Sequence, residues 1–512
     1  MKRDDIRFEL KHEVLKLVAE HTFNDSMTMD AFEQIPFQVI PGITPRFRCC
    51  VYKEREIIRQ RTRLALGMIP IPRDNHEHIN MNEHIIQVIP AACEGCPINR
   101  FQVTENCQNC MQKACQKACA FGAITITPRG AYIDQTKCKE CGRCADSCPY
   151  HAIADLMRPC KRSCDVAAIE IGGNKLAHID SNKCIACGHC VQACPFGAIS
   201  DISYITKVIE AIKDPNVVTV AIPAPAVEGQ FGPNATVGRV KTALKQLGFD
   251  YVYEVALGGD LVSMHEAKEL IENKEKGRKM TTSCCPGFVN LIRKHYPQLM
   301  EYVSTTVSPM QANYRYIQQK HPGAFVVFIG PCIAKKYESE MMKAPDVVMT
   351  FEELNAIFDA RHINPEDCDE DINPDATSYG RRFSGAGGVA ASVVKAAAEC
   401  GVNDVKTKPC SGVKECKVAL AMLKAGKLPE DIIEGMACDG GCIAGPGSVA
   451  QLPQLKQARL KKVKGKDNDS IGDMLKNMDA LDVDMVRESF DMPERDDFIL
   501  TDHVHVLLNN NK

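Results

Sequence analysis

Two runs of cysteine constrain this chain more than any other feature. Cys138, Cys141, Cys144 and Cys148 are spaced C-x2-C-x2-C-x3-C with Pro149 directly after, and Cys184, Cys187, Cys190 and Cys194 repeat that spacing with Pro195. Three thiolates so close together can wrap one compact iron–sulfur cube, while the fourth, before a proline, crosses to a neighbouring one. A zinc site favours separated C-x2-C pairs instead, and the C-x-x-C-H of covalent haem attachment does not occur. The chain has 27 cysteines in 512 residues. Disulfide frameworks belong to short secreted chains. This chain opens MKRDDIRFELKHEVLK, which is charged and helical in pattern and lacks the apolar core of a signal peptide. The expectation is a cytoplasmic setting in which thiols stay reduced and bind metal.

Sixteen of the cysteines fall within residues 86–202. The spacing above resembles that of bacterial ferredoxins, so this stretch is expected to be a ferredoxin-like α+β domain. Cys107, Cys110, Cys115 and Cys119 form a looser version, and Cys93, Cys96, Cys160 and Cys164 remain. A repeat runs through it: Cys119, Cys148, Cys164 and Cys194 each lead into an Ala-Ile pair four residues on, as if a strand began there. The sixteen divide into four [4Fe-4S] sets. By the ferredoxin resemblance the ligands cross: Cys107, Cys110 and Cys115 with Cys148; Cys138, Cys141 and Cys144 with Cys119; Cys184, Cys187 and Cys190 with Cys164; Cys93, Cys96 and Cys160 with Cys194. The alternative is three clusters, with Cys93, Cys96, Cys160 and Cys164 as spare thiols or a zinc site.

Residues 1–85 read as a helical segment, from the apolar spacing of EVLKLVAEH and KEREIIRQRTRLALG. Its adjacent Cys49 and Cys50 read as ordinary thiols. From residue 203 to 512 the pattern changes. VVTVAIPAPAV and FVVFIG are short β-branched runs of buried-strand type, alternating with helical patterns such as VGRVKTALKQLG, which implies α/β architecture with mostly parallel sheets. KKVKGKDNDS from Lys461 reads as a polar linker, and HVHVLL near the end as a strand. No run approaches the roughly 18 apolar residues of a membrane span. A formal net charge of −3 argues against nucleic-acid binding through bulk positive charge. GAGGVA, from Gly385, lacks the G-x-G-x-x-G spacing of a dinucleotide site.

Three further motifs stand in the C-terminal part: TSCCP with Cys284 and Cys285, FIGPCIAKKYE with Cys332, and EGMACDGGCIAGPG with Cys438 and Cys442. Together, in order and spacing, they resemble the signature motifs of the [FeFe] hydrogenases over roughly residues 203–450, in a form similar to a divergent, group B-like branch. The resemblance implies a two-lobed catalytic domain. It also implies an H-cluster, a [4Fe-4S] cube joined to a diiron unit with CO, cyanide and a bridging dithiolate. Cys285, Cys332, Cys438 and Cys442 match the cube ligands, Cys442 being shared with the diiron unit. Cys284 matches a free thiol that passes protons. Glu266, Ser304 and Glu269, in that order and then a water, match the path leading to it. Lys335 matches a lysine bonded to a cyanide ligand, while Lys336 reads as a surface or secondary charge. Met436, Ala224 and Pro225 match residues packed beside the diiron unit. Phe288, Ala226, Gly330, Met310, Asp439 and Pro446 depart from the best-known members, which bears on rate and catalytic bias more than on metal binding.

The implied reaction is the reversible interconversion of two protons and two electrons with H2. Expected partners are a ferredoxin or similar low-potential carrier and hydrogenase maturation proteins, with Arg158, Lys161 and Arg162 as a possible docking patch. Two alternatives remain: an H2 sensor, although nothing resembles a signalling domain, and a non-enzymatic assembly factor of the same family. Such a factor would be expected to lose Cys284 and Lys335. Cys368, Cys400, Cys410 and Cys416 match no role and read as structural thiols.

Overall fold

The structure is a computed structural model that describes residues 5–71, 85–93, 95–373, 375–463 and 469–490. The HVHVLL segment lies outside the described residues, as does part of the polar linker. The helix Leu452–Val463 runs into the start of that linker.

Each Ala-Ile pair of the cysteine-rich region begins a strand: Ile124–Thr127, Ile153–Asp155, Ile169–Ile171 and Ile199–Asp201. The local cause is visible. After the repeat cysteine the chain turns through a left-handed residue (Gly122, His151, Ala167 or Gly197). The alanine N–H is thereby brought back onto the sulfur, at 3.3 Å for Cys119, 3.4 Å for Cys148, 3.2 Å for Cys164 and 3.3 Å for Cys194. The strands form four antiparallel pairs, two between neighbours in sequence and two closing over long stretches: Phe101–Val103 with Ile153–Asp155, and Ile86–Val88 with Ile199–Asp201.

The region has two cores rather than one. Phe101, Ile124, Ile133, Cys144 and Ile153 form a small outer cluster. The remainder, including Ile86, Ile169, Ile185 and Ile199, shares a core with Phe288, Leu291 and Ile433 of the C-terminal region. The half carrying Cys184–Cys194 is therefore built into the larger domain, while the half carrying Cys107–Cys148 stands on its own apolar centre.

The C-terminal region is α/β with two parallel sheets. One has the order Tyr251–Val252, Thr219–Pro223, Phe325–Gly330, Val347–Thr350; the other, Met280–Thr281, Ile432–Met436, Thr407–Ser411. The strand Thr219–Pro223 is buried at every position, as both-face coverage by helices requires. The N-terminal helix Ile6–Phe23 packs on the helices Phe351–Ala360 and Ile205–Lys213 and belongs to their core. Among the described residues no helix is long and apolar enough to cross a membrane.

Candidate metal centre and proton relay

Four of the five motif cysteines follow the carboxyl ends of parallel strands, where open α/β sheets place their ligands. Cys284 and Cys285 follow Met280–Thr281, Cys332 follows Phe325–Gly330, and Cys438 follows Ile432–Met436. Cys285 and Cys332 are also the N-caps of the helices Pro286–His295 and Ile333–Met342. Unpaired N–H groups and the positive helix end there favour negative charge. Cys442 opens the short turn Cys442–Ala444. Gly441 has φ +88, and a Cβ there would stand 2.5 Å from Ala386 N and 2.7 Å from Gly385 Cα. GAGGVA is thus the turn and helix start, leading into Gly388–Glu399, that the last motif is folded against.

Between these strand ends lies a cavity of about 80 Å³, apolar in its lining apart from cysteines, Lys335 and Ser384. Cys284, Cys285, Cys332 and Cys442 all face it, and so do Met436, Ala224 and Pro225. Burial pushes the Cys332 thiol up to about 11, with Cys285 adding to it, and holds Cys438 well above the usual thiol range, with Cys332, Cys285 and Cys442 as its nearest charges. Buried thiols at such cost are suited to an acceptor that carries positive charge. Among the described residues no three His, Cys, Asp or Glu side chains converge as donors to a single metal ion. Cys285, Cys332 and Cys442 line the cavity, and Cys438, which does not line it, has those three thiols as its strongest charged neighbours.

Several departures acquire a physical account. A Cβ on Gly330 would lie 2.7 Å from the Phe328 ring, so that ring lines the cavity where a longer side chain at residue 330 cannot stand. Phe288 is fully buried, its ring 2.3 Å from where a Cβ on Gly435 would be. Pro446 packs on Gly188, next to Cys187 of the iron–sulfur region.

Behind Cys284 lies a polar chain. Glu266 is fully buried; its Oε1 accepts from Ser283 N at 3.0 Å and Ser283 Oγ at 3.3 Å. Burial pushes its carboxyl up to about 8, with Glu269 adding to the rise and Ser283 and Ser304 opposing it. Its Oε2 is buried without a hydrogen-bond partner among the described residues. Ser304 Oγ donates to Glu269 Oε2 at 2.6 Å, and Glu269 also accepts from Thr305 N at 3.0 Å. Burial holds the Cys284 thiol well above its ordinary value, and Glu266 is its strongest charged neighbour. This corrects the expected order. Glu266, not Glu269, is the carboxylate next to the thiol, and Glu269 is the half-buried outer one. Three residues along the helix Ala256–Glu275 amount to about 4.5 Å of rise, enough to carry the second carboxylate to the surface.

Lys335 lies on the cavity wall, its Nζ 2.6 Å from Glu338 Oε2 and 3.3 Å from the Cys284 carbonyl oxygen. Lys336 is not a surface charge: its Nζ is fully buried and bonds Asp201 Oδ2 at 2.7 Å, Glu353 Oε1 at 2.9 Å and the Ile202 carbonyl at 2.7 Å. Successive helix positions point about 100° apart, so one lysine faces the cavity and the next the iron–sulfur region. Arg158 is likewise buried rather than part of a docking patch, whereas Lys161 and Arg162 are exposed. Three further participants had no assigned role: Ser283 in TSCCP, Glu338 at the end of FIGPCIAKKYE, and Arg487, which lies outside every motif. The Arg487 Nη2 reaches the Ser283 carbonyl at 3.5 Å and Glu338 Oε1 at 3.9 Å. Cys410 and Cys416 are buried beside one another, Cys368 is buried, and Cys49, Cys50 and Cys400 are exposed.

In the iron–sulfur region the strongest charged neighbours of Cys115 are Cys148, Cys107 and Cys110, and those of Cys160 are Cys194, Cys93 and Cys96. Those of Cys190 are Cys187, Cys184 and Cys164, while Cys144 faces Cys138 and Cys141. Cys160 also neighbours Cys190, and Cys187 neighbours Cys438. The groups thus lead towards the cavity.

A fold with ferredoxin-type cysteine turns joined to a cysteine-lined cavity between parallel sheets defines an iron–sulfur protein of oxidoreductase type. Residues 217–446 match the C-terminal domain of the iron only hydrogenase large subunit, and residues 131–154 and 177–200 match the 4Fe-4S binding domain. The chain is 31% identical over 389 residues to iron hydrogenase 1 of Clostridium pasteurianum, covering 65% of this chain and 67% of that one. It is 31% identical over 372 residues to the periplasmic [Fe] hydrogenase large subunit of Nitratidesulfovibrio vulgaris, covering 62% and 85%. A probable cytosolic Fe-S cluster assembly factor of Anopheles gambiae is 27% identical over 274 residues, covering 42% and 57%. The chain belongs to the iron-only hydrogenase family.

Proposed function

We propose that this protein is a [FeFe] hydrogenase, interconverting two protons and two electrons with H2. The observation that carries this is the division of the cysteine doublet. Cys285 stands among Cys332, Cys438 and Cys442, while Cys284 faces the same cavity with the buried carboxyl of Glu266 at its back. An H-cluster held by Cys285, Cys332, Cys438 and Cys442 would supply the redox centre at which protons and electrons meet. The chain's own groups do the rest. Glu269 exchanges protons with solvent, Ser304 hands them to Glu266, and Glu266 re-supplies Cys284. The buried Glu266 Oε2, without a partner among the described residues, needs a donor, and a water would supply it. A carboxyl held near pH 8 is protonated at neutral pH and poised to donate. Lys335, already at the cavity wall, offers an ammonium to an anionic ligand. The four cysteine groups described above would each hold a [4Fe-4S] cluster, which would supply one-electron transfer between the cavity and a ferredoxin-like carrier in the cytoplasm.

The test is infrared absorption of the matured protein followed by an H2 assay with a reduced low-potential carrier. CO and CN bands with H2 production support the proposal. A second reading, a non-enzymatic assembly factor, is favoured by the assembly-factor relative; it predicts bound [4Fe-4S] and no CO or CN bands.

A further inference from the structure

The N-terminal helices take no part in the cavity or the relay, yet they send arginines to one place. Arg7, from Ile6–Phe23, donates to the carbonyl oxygens of Gln192, at 3.1 Å, and Cys194. Arg61, from Val51–Ala65, is 7% exposed; its Nη2 donates to Gly197 O at 2.7 Å and its Nε is buried without a partner. Arg48 stacks 4.8 Å over the Phe196 ring, and its Nη1 lies 2.7 Å from where a Cβ on Gly95 would stand, against the turn between Cys93 and Cys96. The iron–sulfur region adds Arg158, 5% exposed, whose Nε reaches Pro97 O at 3.4 Å and whose Nη1 and Nη2 are buried without partners. Arg7 is offset by Asp5, at 2.9 Å, and Glu352 lies within electrostatic reach of Arg7 and Arg61. Among the described residues Arg48, Arg61 and Arg158 form no salt bridge.

Within the set Cys93, Cys96, Cys160 and Cys194, these groups stand beside Cys96 and Cys194. Burial raises the Cys96 thiol while Arg158 and Arg48 pull it down, and Cys194 is the foremost charge near Arg61. Elsewhere the foremost charges are other cysteines at Cys115, Cys144 and Cys190, and a single lysine, Lys294, at Cys184. A [4Fe-4S] cluster with four thiolates goes from a charge of −2 to −3 on taking one electron, with no bond made or broken. Nearby cations favour the reduced state, burial opposes it, and N–H donors to the sulfurs favour it. The two orphaned Arg158 nitrogens require an acceptor, and cluster sulfur is one.

We propose that Arg158, with Arg61 of the helix Val51–Ala65 and Arg48 of the loop before it, raises the reduction potential of the cluster held by Cys93, Cys96, Cys160 and Cys194, so that this cluster stores an electron next to the Cys184 cluster. This rests on the four-cluster reading above. Full-length protein with its clusters reconstituted anaerobically separates the two. Cys160→Ala should lose about four irons; unchanged iron would remove both the fourth cluster and this role. With iron at the wild-type level, redox titration followed by electron paramagnetic resonance should show, in Arg158→Met, one species whose reduction is at least tenfold less favourable, about 59 mV for one electron. Other species should hold still, and Arg158→Lys should recover most of the shift. Should Arg158→Met lose iron, the half-buried Arg48→Met carries the same expectation. A titration in which no species moves, or all move together, overturns the assignment.

Discussion

Replacing Glu266 by Gln should make the protein more stable and nearly inactive, and the gain in stability should depend on pH. Glu266 is fully buried, with its carboxyl raised from 4.5 to about 8, burial being the main cause. In the unfolded chain it ionises near 4.5; in the folded protein it keeps its proton to about 8. Stability is therefore greatest below 4.5, falls as pH rises through this window, and levels off above it. At about 1.36 kcal/mol per unit, the loss by pH 7 is roughly 3 kcal/mol. Gln does not titrate, and its amide oxygen can still accept from Ser283 N. The variant and wild-type apoproteins should melt together at pH 5, and the variant should melt higher by several degrees at pH 8. A long chain with several cores need not unfold in one step, so the difference between the two melting temperatures at each pH is the quantity to read. Turnover of matured protein should fall about 10²-fold or more, the scale of a lost acid–base group. A melting difference equal at pH 5 and pH 8, or turnover within a few-fold of wild type, would refute the placement of Glu266 as the inner carboxyl of the relay.

Cys284→Ala should keep the iron content of wild type while losing most H2 turnover; loss of four irons would mean that the doublet is divided the other way. Lys336→Met removes the buried cation that Asp201 and Glu353 share, leaving Asp201 to Lys11 and Glu353 to Thr350, which should cost about 3 kcal/mol in denaturant unfolding; a loss below 1 kcal/mol would contradict the buried network. Gly441→Ala places a Cβ 2.5 Å from Ala386 N at φ +88 and should lower cube loading, measured as iron bound, without altering the clusters of residues 86–202.

The local chemistry was legible in the chain itself. Cysteine spacing announces cluster-binding turns because three or four thiolates within a dozen residues can reach one object without help from the rest of the fold. The Ala-Ile pairs begin strands because the same short turn brings an amide onto each sulfur. Alternating β-branched and helical runs gave parallel sheets for the same reason: each pattern is satisfied within a few residues. The expected relay order failed because Glu266 and Glu269 share one helix face, and only the direction in which that helix enters the core decides which is inside. Lys336 and Arg158 looked like surface charges because a charged side chain is exposed unless distant partners meet it. Asp201 and Glu353 come from two different regions, and nothing in PCIAKK foretells them. The split of residues 86–202 into two cores, the arginines brought from residues 7, 48, 61 and 158 to Cys96 and Cys194, and the placing of Arg487 against Glu338 belong to the same class. Short-range spacing wrote the cysteine turns into the sequence, whereas burial and long-range packing, which no single segment controls, decided which cysteines and which charges stand together.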